Sequence, residues 1–194
     1  MKKIPTRALV TLALLAAISV VLARFIIPMP NVTMRFSIEA APIIIAGLLF
    51  GPVPGAIVGF VADLVGCLFS GYGYNPVFSL PPVLIGLCAG LLRGLLYKKI
   101  SYPRVLATFL PAVVLGSILW QSYWLSFFYG TKTFGAFLLS RSLQFAITSV
   151  INALVVYLLF RNHVFTGLRL WPPVGMQNKT GSDNAAATEK SDTK

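Results

Sequence analysis

Long stretches of this chain carry no charged residue, and short turn-forming segments or charges separate them. The charge-free stretches are 8–23, 40–62, 64–92, 105–131 and 142–160, of 16, 23, 29, 27 and 19 residues. A bilayer-crossing helix needs about 20 apolar residues, and fewer when flanking side chains snorkel. Turn-forming residues cut two of the stretches. Gly51-Pro52-Val53-Pro54-Gly55 reads as a tight hairpin, and Ser70-Gly71-Tyr72-Gly73-Tyr74-Asn75-Pro76 reads as a loop. The pattern predicts an all-α integral membrane protein, a bundle of six transmembrane helices at 6–26, 37–50, 53–69, 77–97, 105–129 and 137–160. The second is short and rises only about 20 Å, so it is expected to tilt little or to leave the bilayer locally thin. Residues 1–170 form one membrane domain, and residues 171–194, rich in Gly, Ser, Asn, Ala and Thr, read as a disordered tail.

Composition strengthens this reading. Of the 194 residues, 57% are hydrophobic and 11% are charged, and the mean hydropathy is +0.82. A soluble protein carries about 25% charged residues. That excludes an ordinary soluble enzyme, a nucleic-acid-binding domain and a disordered chain. The net charge of +11 does not form a basic stripe. Instead the basic residues sit at the ends of the apolar runs. With six spans, one side holds Lys2, Lys3, Arg7, Arg93, Lys98, Lys99, Arg104, Arg161 and Arg169; the other holds Arg24, Arg35, Lys132 and Arg141. Nine against four predicts that both termini are cytoplasmic. The basic, apolar N-terminus lacks a clear A-x-A cleavage site and is expected to be the first span, not a signal peptide.

Charge inside the apolar runs is where chemistry is expected. Asp63 lies in the outer half of the third helix, and an ionisable group inside a span is a functional candidate by default. It either pairs with Arg24 or Arg35, or accepts two hydrogen bonds from an aminopyrimidine-like edge. Arg24, Arg35 and Arg141 lie where the chain enters or leaves the outer leaflet. They either snorkel to phosphates or form a basin for an anionic ligand, for which the guanidinium fork suits carboxylates. Glu39, four residues after Arg35, is expected to orient it as a helical i,i+4 partner. Tyr72, Tyr74, Phe78, Tyr123, Trp124, Phe127, Phe128 and Tyr129 gather at the same end as an interfacial belt, with Trp124 best placed to stack on a flat ligand. Asn75, Gln121, Gln144 and Asn152 add polar groups in or beside spans.

Small residues recur at helix-packing intervals. Gly51, Gly55 and Gly59 form one G-x-x-x-G row, Gly86, Gly90 and Gly94 another, and Ala13 and Ala17 an A-x-x-x-A pair. No nucleotide-binding loop, metal cluster or hydrolase pair stands out. Cys67 and Cys88 read as small apolar helix residues, and His163 reads as solvated. A ligand basin without a motor is the expectation; no cofactor and no metal are expected.

The run Phe50-Gly-Pro-Val-Pro-Gly-Ala-Ile-Val-Gly-Phe-Val-Ala-Asp63-Leu-Val-Gly66 resembles the helix 2–3 hairpin of the substrate-binding S components of energy-coupling-factor (ECF) vitamin transporters. Arg24-Phe25 after an alanine-rich helix, and Trp124-Leu-Ser-Phe-Phe-Tyr-Gly130, are similar to the folate-specific branch, although Gln121 stands where that branch usually has Asn. The resemblance covers about residues 6–160 and implies six membrane helices in a prokaryotic plasma membrane, with a vitamin pocket near the outer face. It implies gating by loops 27–35 and 70–76, and transport with a transmembrane coupling protein and two ATPase subunits. It also implies that Ala13 and Ala17 meet the coupling protein. Folate joins a flat pterin, a benzoyl spacer and a glutamate. Asp63, Trp124 and the arginines suit those parts in that order, with Gln121, Asn75 and Tyr74 as further contacts. Two rival readings stand beside it: the same module for another vitamin or a queuine-like base, and a small membrane enzyme or channel subunit.

Overall fold

Eleven residues, Ala40–Phe50, form helix α2, and every residue from Ala41 to Leu49 is buried. A helix that is apolar all round belongs inside other protein. Helices α1 (Thr6–Leu22), α3 (Pro52–Ser70), α4 (Pro76–Leu91) and α8 (Phe134–Arg161) all pack against it. At about 1.5 Å per residue α2 rises only about 16 Å. That is enough for a strut enclosed by longer helices. The expected local thinning of the bilayer is therefore not needed: the ring around α2 meets the lipid in its place.

This computed structural model describes residues 6–23, 27–28, 35–36, 38–70, 76–98, 101–129 and 134–162. The predicted tail at 171–194 lies outside them. After α4 come α5 (Gly94–Lys98), α6 (Tyr102–Ala112), a π-helical segment (Val113–Trp120) and α7 (Gln121–Tyr129). Helix α6, the π segment and α7 run on without a break, so the described residues form seven helical rods. The expected six differ because the fourth breaks at Leu92-Arg93, just before Gly94, and its last turns become α5. Strands β1 (Ile27–Pro28) and β2 (Arg35–Phe36) pair antiparallel, a small exception to the all-α expectation. The first helix ends at Leu22, four residues earlier than expected, and α2 starts at Ala40.

Among the described residues three helices are long and apolar enough to cross a membrane: Pro52–Phe69, Tyr102–Trp124 and Arg141–Arg161. Three apolar segments are shorter: Ala8–Leu22, Ala40–Phe50 and Pro76–Leu91. The outer wall of the bundle is apolar, with Leu9, Leu14, Val53, Ile57, Leu115, Leu143 and Leu154 all exposed. Lipid is the solvent that suits such a wall.

The centre is held by bare backbone. Gly51 has φ +107°, a value that favours glycine, and turns the chain from α2 into α3, where Pro52 opens the new helix. A methyl group placed on Gly47 or Gly55 would strike the carbonyl oxygen of Gly86. One on Gly86 would strike Gly55, one on Gly90 would strike Pro52, and one on Gly59 would strike the carbonyl of Pro82. Helices α2, α3 and α4 thus touch through main chain, as small-residue rows allow. Each predicted row holds in two of its three members, Gly55 and Gly59 in one and Gly86 and Gly90 in the other. Gly94 faces open space, and Gly51 lies against the Arg93 guanidinium.

Candidate functional site

The alternation of helices brings the C-terminal halves of α1, α3 and α7 to the same end as the N-terminal parts of α2, α4 and α8. The β1–β2 pair lies in the α1–α2 connection, and β2 packs on α8. At this end the structure gathers the polar groups.

Asp63 lies on α3, one turn beyond Gly59. The close contact of Gly59 with Pro82 fixes the spacing of α3 and α4, and one turn further along Ser79 Oγ donates to Asp63 Oδ2 at 2.5 Å. Cys67 Sγ lies 4.0 Å from the same oxygen and donates to it weakly. The carboxylate is thus oriented by the hydroxyl of a buried serine, and is itself half-buried. The sequence contains no marker for this serine, because α3 and α4 meet only in the fold.

A second cluster forms between α7 and α8. Arg141 Nη1 donates to Gln121 Oε1 at 2.8 Å, and the Arg141 guanidinium carbon sits 5.9 Å from the centre of the Phe145 ring. Trp124 stands among aromatic rings, with centroids 5.8 to 5.9 Å from Trp120, Tyr123 and Phe127. Ser122 on α7 and Gln144, Ser149 and Asn152 on α8 are further buried polar residues of these two helices. Ser122 Oγ has no hydrogen-bond partner among the described residues.

Trp120 joins the two clusters. Pro81 has no N–H to give to the carbonyl of Val77, its usual partner one turn back. Trp120 Nε1 donates to that oxygen at 2.9 Å. Two residues from Val77 lies Ser79, the partner of Asp63. Trp120 was not among the residues expected from the sequence. The signal was present in Pro81, which opens an acceptor inside an apolar helix.

Several expected residues fall elsewhere. Arg24, Tyr74 and Asn75 lie outside the described residues, as does the side chain of Arg35. Arg35 is in a strand opposite Pro28, so the helical i,i+4 relation expected with Glu39 does not exist. Glu39 instead precedes α2, where its main-chain oxygen accepts a hydrogen bond of 2.7 Å from Ser19 Oγ on α1. Ala13 and Ala17 both lie on the exposed side of α1, while Ala8, Leu15, Ala16 and Ser19 face inward. Among the described residues no group of three or more His, Cys, Asp or Glu side chains is placed to hold a metal ion.

Known proteins share this apolar helical bundle. The model of the family described as ECF transporter, substrate-specific component, matches residues 7–160. The chain belongs to that family. Among its relatives, the folate transporter FolT of Clostridium novyi (strain NT) is 28% identical over 161 residues, covering 81% of this chain and 88% of that protein. A crystal structure of FolT bound with folic acid superposes with a TM-score of 0.67 at 29% identity, over 79% of this chain and 91% of that one. The S component for biotin from an ECF-type ABC transporter has a TM-score of 0.63 at 18% identity, covering 80% of this chain and 92% of that one, and supports the fold alone. As a substrate-specific component the chain is a membrane transporter subunit, which sets aside the enzyme and channel readings at the level of family.

Proposed function

We propose that this S component binds folate at its outer end and delivers it to an ATP-driven importer. The observation that carries the reading is the pairing of an oriented carboxylate, Asp63 on Ser79, with a fixed guanidinium, Arg141 on Gln121, on helices joined by Trp120. Pterin presents an amino and ring N–H edge, which a carboxylate accepts. The glutamate tail presents two carboxylates, which arginine donates to. Trp124 supplies a face for the flat ring system. Arg24 and Arg35 serve the tail together with Arg141 in this reading, with Tyr74 and Asn75 as further contacts. Similarity to FolT over most of the chain supports this choice of vitamin.

In this reading six of the helical segments span the membrane of a prokaryotic cell, and both termini are cytoplasmic. As in the family it belongs to, the energy comes from partners: a transmembrane coupling protein and two ATPase subunits. The exposed Ala13/Ala17 face of α1 is where the coupling protein packs. No cofactor takes part.

The test is direct. The full chain is purified from folate-free medium and titrated with folate, biotin and a free purine base. Saturable binding of folate, with neither competitor displacing it, is the expected result. Preference for another vitamin or a heterocyclic base, seen also as a different small molecule carried through purification, would move the module to that ligand.

A further inference from the structure

At the polar end Arg141 on α8 donates to Gln121 on α7, a bond between residues that stand 20 positions apart in the chain. We propose that Gln121 is a positioning residue: it holds the Arg141 fork in one plane and so selects ligands that carry a glutamate tail. The inference rests on the folate reading above and specifies how that site discriminates.

The direction of the bond is the first support. Gln121 uses its amide oxygen, the half of the side chain that an arginine can address, and the guanidinium is the donor. A guanidinium is planar, with its donors in a rigid fork. Anchoring Nη1 on an amide oxygen at 2.8 Å, with the guanidinium carbon 5.9 Å from the centre of the Phe145 ring, restricts its rotation. A fork fixed beforehand loses less entropy when a carboxylate arrives, so the fixing raises affinity for that group alone.

The π segment supplies the second support. Buried positions advance by four through α6 and into the π segment, from Thr108 and Phe109 through Ala112 and Val113 to Gly116 and Ser117. The next fully buried residue is Ser122, five beyond Ser117, and the main-chain N–H of Gln121 bonds the oxygen of Gly116, five back. One extra residue turns everything beyond it by about 100° relative to an unbroken α-helix. Without that slip residue 121 would take the fully buried place after Ser117. With it, Ser122 takes that place and Gln121 moves to the half-buried border where Arg141 reaches it. Pro111 lies two residues before the π segment and has no N–H for the carbonyl of Ala107, so the hydrogen-bond ladder is already interrupted where that segment begins.

The experiment titrates the full chain with folate and with pteroate, which lacks the glutamate. The proteins are wild type, Gln121→Leu, Gln121→Asn, Arg141→Gln and the Gln121→Leu/Arg141→Gln double variant. Gln121→Leu and Arg141→Gln should each weaken folate about tenfold and leave pteroate within about twofold. The double variant should be no weaker than Arg141→Gln, because both changes remove one device. Gln121→Asn keeps the amide but falls one methylene short, and should lie between wild type and Gln121→Leu; it also serves should the leucine variant fail to fold. Equal losses on both ligands would mean that Gln121 touches the ring or holds the fold, and would overturn the inference. So would additive losses in the double variant, or wild-type folate affinity in Gln121→Leu and Gln121→Asn. A wild-type chain that binds neither ligand would overturn the folate reading and this inference with it, an outcome distinct from binding with misplaced losses.

Discussion

The two ends of the bundle are held together by different means. Around α2 the helices meet through main chain: Gly47, Gly55, Gly86 and Gly90 leave no room for even a methyl group. At the polar end they meet through side chains: Ser79 on Asp63, Trp120 on Val77 and Arg141 on Gln121. Backbone cannot move aside without moving a helix, so an error in the first region is an error in the fold. A side chain can be shortened or swapped while its helix stays in place, so an error in the second region is an error in recognition. The regions are also coupled in one direction. Gly59 against Pro82 sets the α3–α4 spacing on which the Asp63–Ser79 bond depends.

The largest expected effect lies in the glycine seam. Gly86→Val places side-chain carbon against the main chain of Gly55 and Ala56. Overpacking ordinarily costs about 1–3 kcal/mol, and more when backbone must shift. The variant should be recovered mainly as aggregate, or unfold far below wild type in a detergent melting assay. Gly66→Ala is the matched control, because nothing lies within 4 Å of the position its methyl would take. Its melting temperature should stay close to that of wild type. Similar behaviour of the two variants would erase the distinction between the ends.

Next in size is Asp63→Asn. It keeps the shape and replaces one acceptor by a donor, which then faces both the Ser79 hydroxyl and the ligand. Losing a charge-assisted hydrogen bond costs about 1.5–3 kcal/mol, or about tenfold to a hundredfold in affinity. Titration of a well-folded variant reads the loss directly. Unchanged folate affinity would remove Asp63 from the site and leave its bond to Ser79 a packing feature.

How much of this was legible beforehand depends on which contacts carry it. The charge-free runs marked the long helices, because lipid-facing and core-facing positions are both apolar; Asp63 in α3 and Arg141 in α8 are the charges inside them. Asp63 stood out for the same reason. The π segment was invisible: Val113–Trp120 is apolar on all sides except for Ser117, and so has no polar face whose rotation would betray a slipped register. Ser79 and the Gln121–Arg141 pair were equally hidden as contacts. Each joins residues on different helices, and only the register of packing, set by glycine against backbone, brings them together. The break at Arg93 had a visible cause in Gly94, yet apolar residues on both sides disguised it as one continuous span.

A smaller effect is expected at the link between the clusters. Trp120→Phe keeps an aromatic ring and removes the N–H that Val77 receives. Pro81 leaves no helical N–H to replace it. The loss should be about 1 kcal/mol of stability, seen as a modest fall in melting temperature, with folate affinity reduced severalfold or less. A collapse as large as that of Gly86→Val would show that the polar end is as rigidly built as the glycine seam.

The smallest effect on the molecule should come from the change that most damages transport. Ala13 and Ala17 lie one turn apart on the exposed side of α1, away from the buried Leu15, Ala16 and Ser19. They are packed against neither the glycine seam nor the polar end. Two tryptophans there extend outward, into lipid or into whatever helix docks on α1. Small residues on such a face let a partner backbone approach closely, and bulky ones hold it away. Ala13→Trp with Ala17→Trp should therefore bind folate as wild type does and melt at nearly the same temperature. In cells supplying the coupling protein and ATPases it should abolish concentrative uptake. Loss of binding along with uptake would mean that the alanine face supports the site after all. Normal uptake would mean that the coupling protein docks elsewhere, and that the division between a fold-holding end and a recognition end leaves a third, driving surface still to be found on another helix.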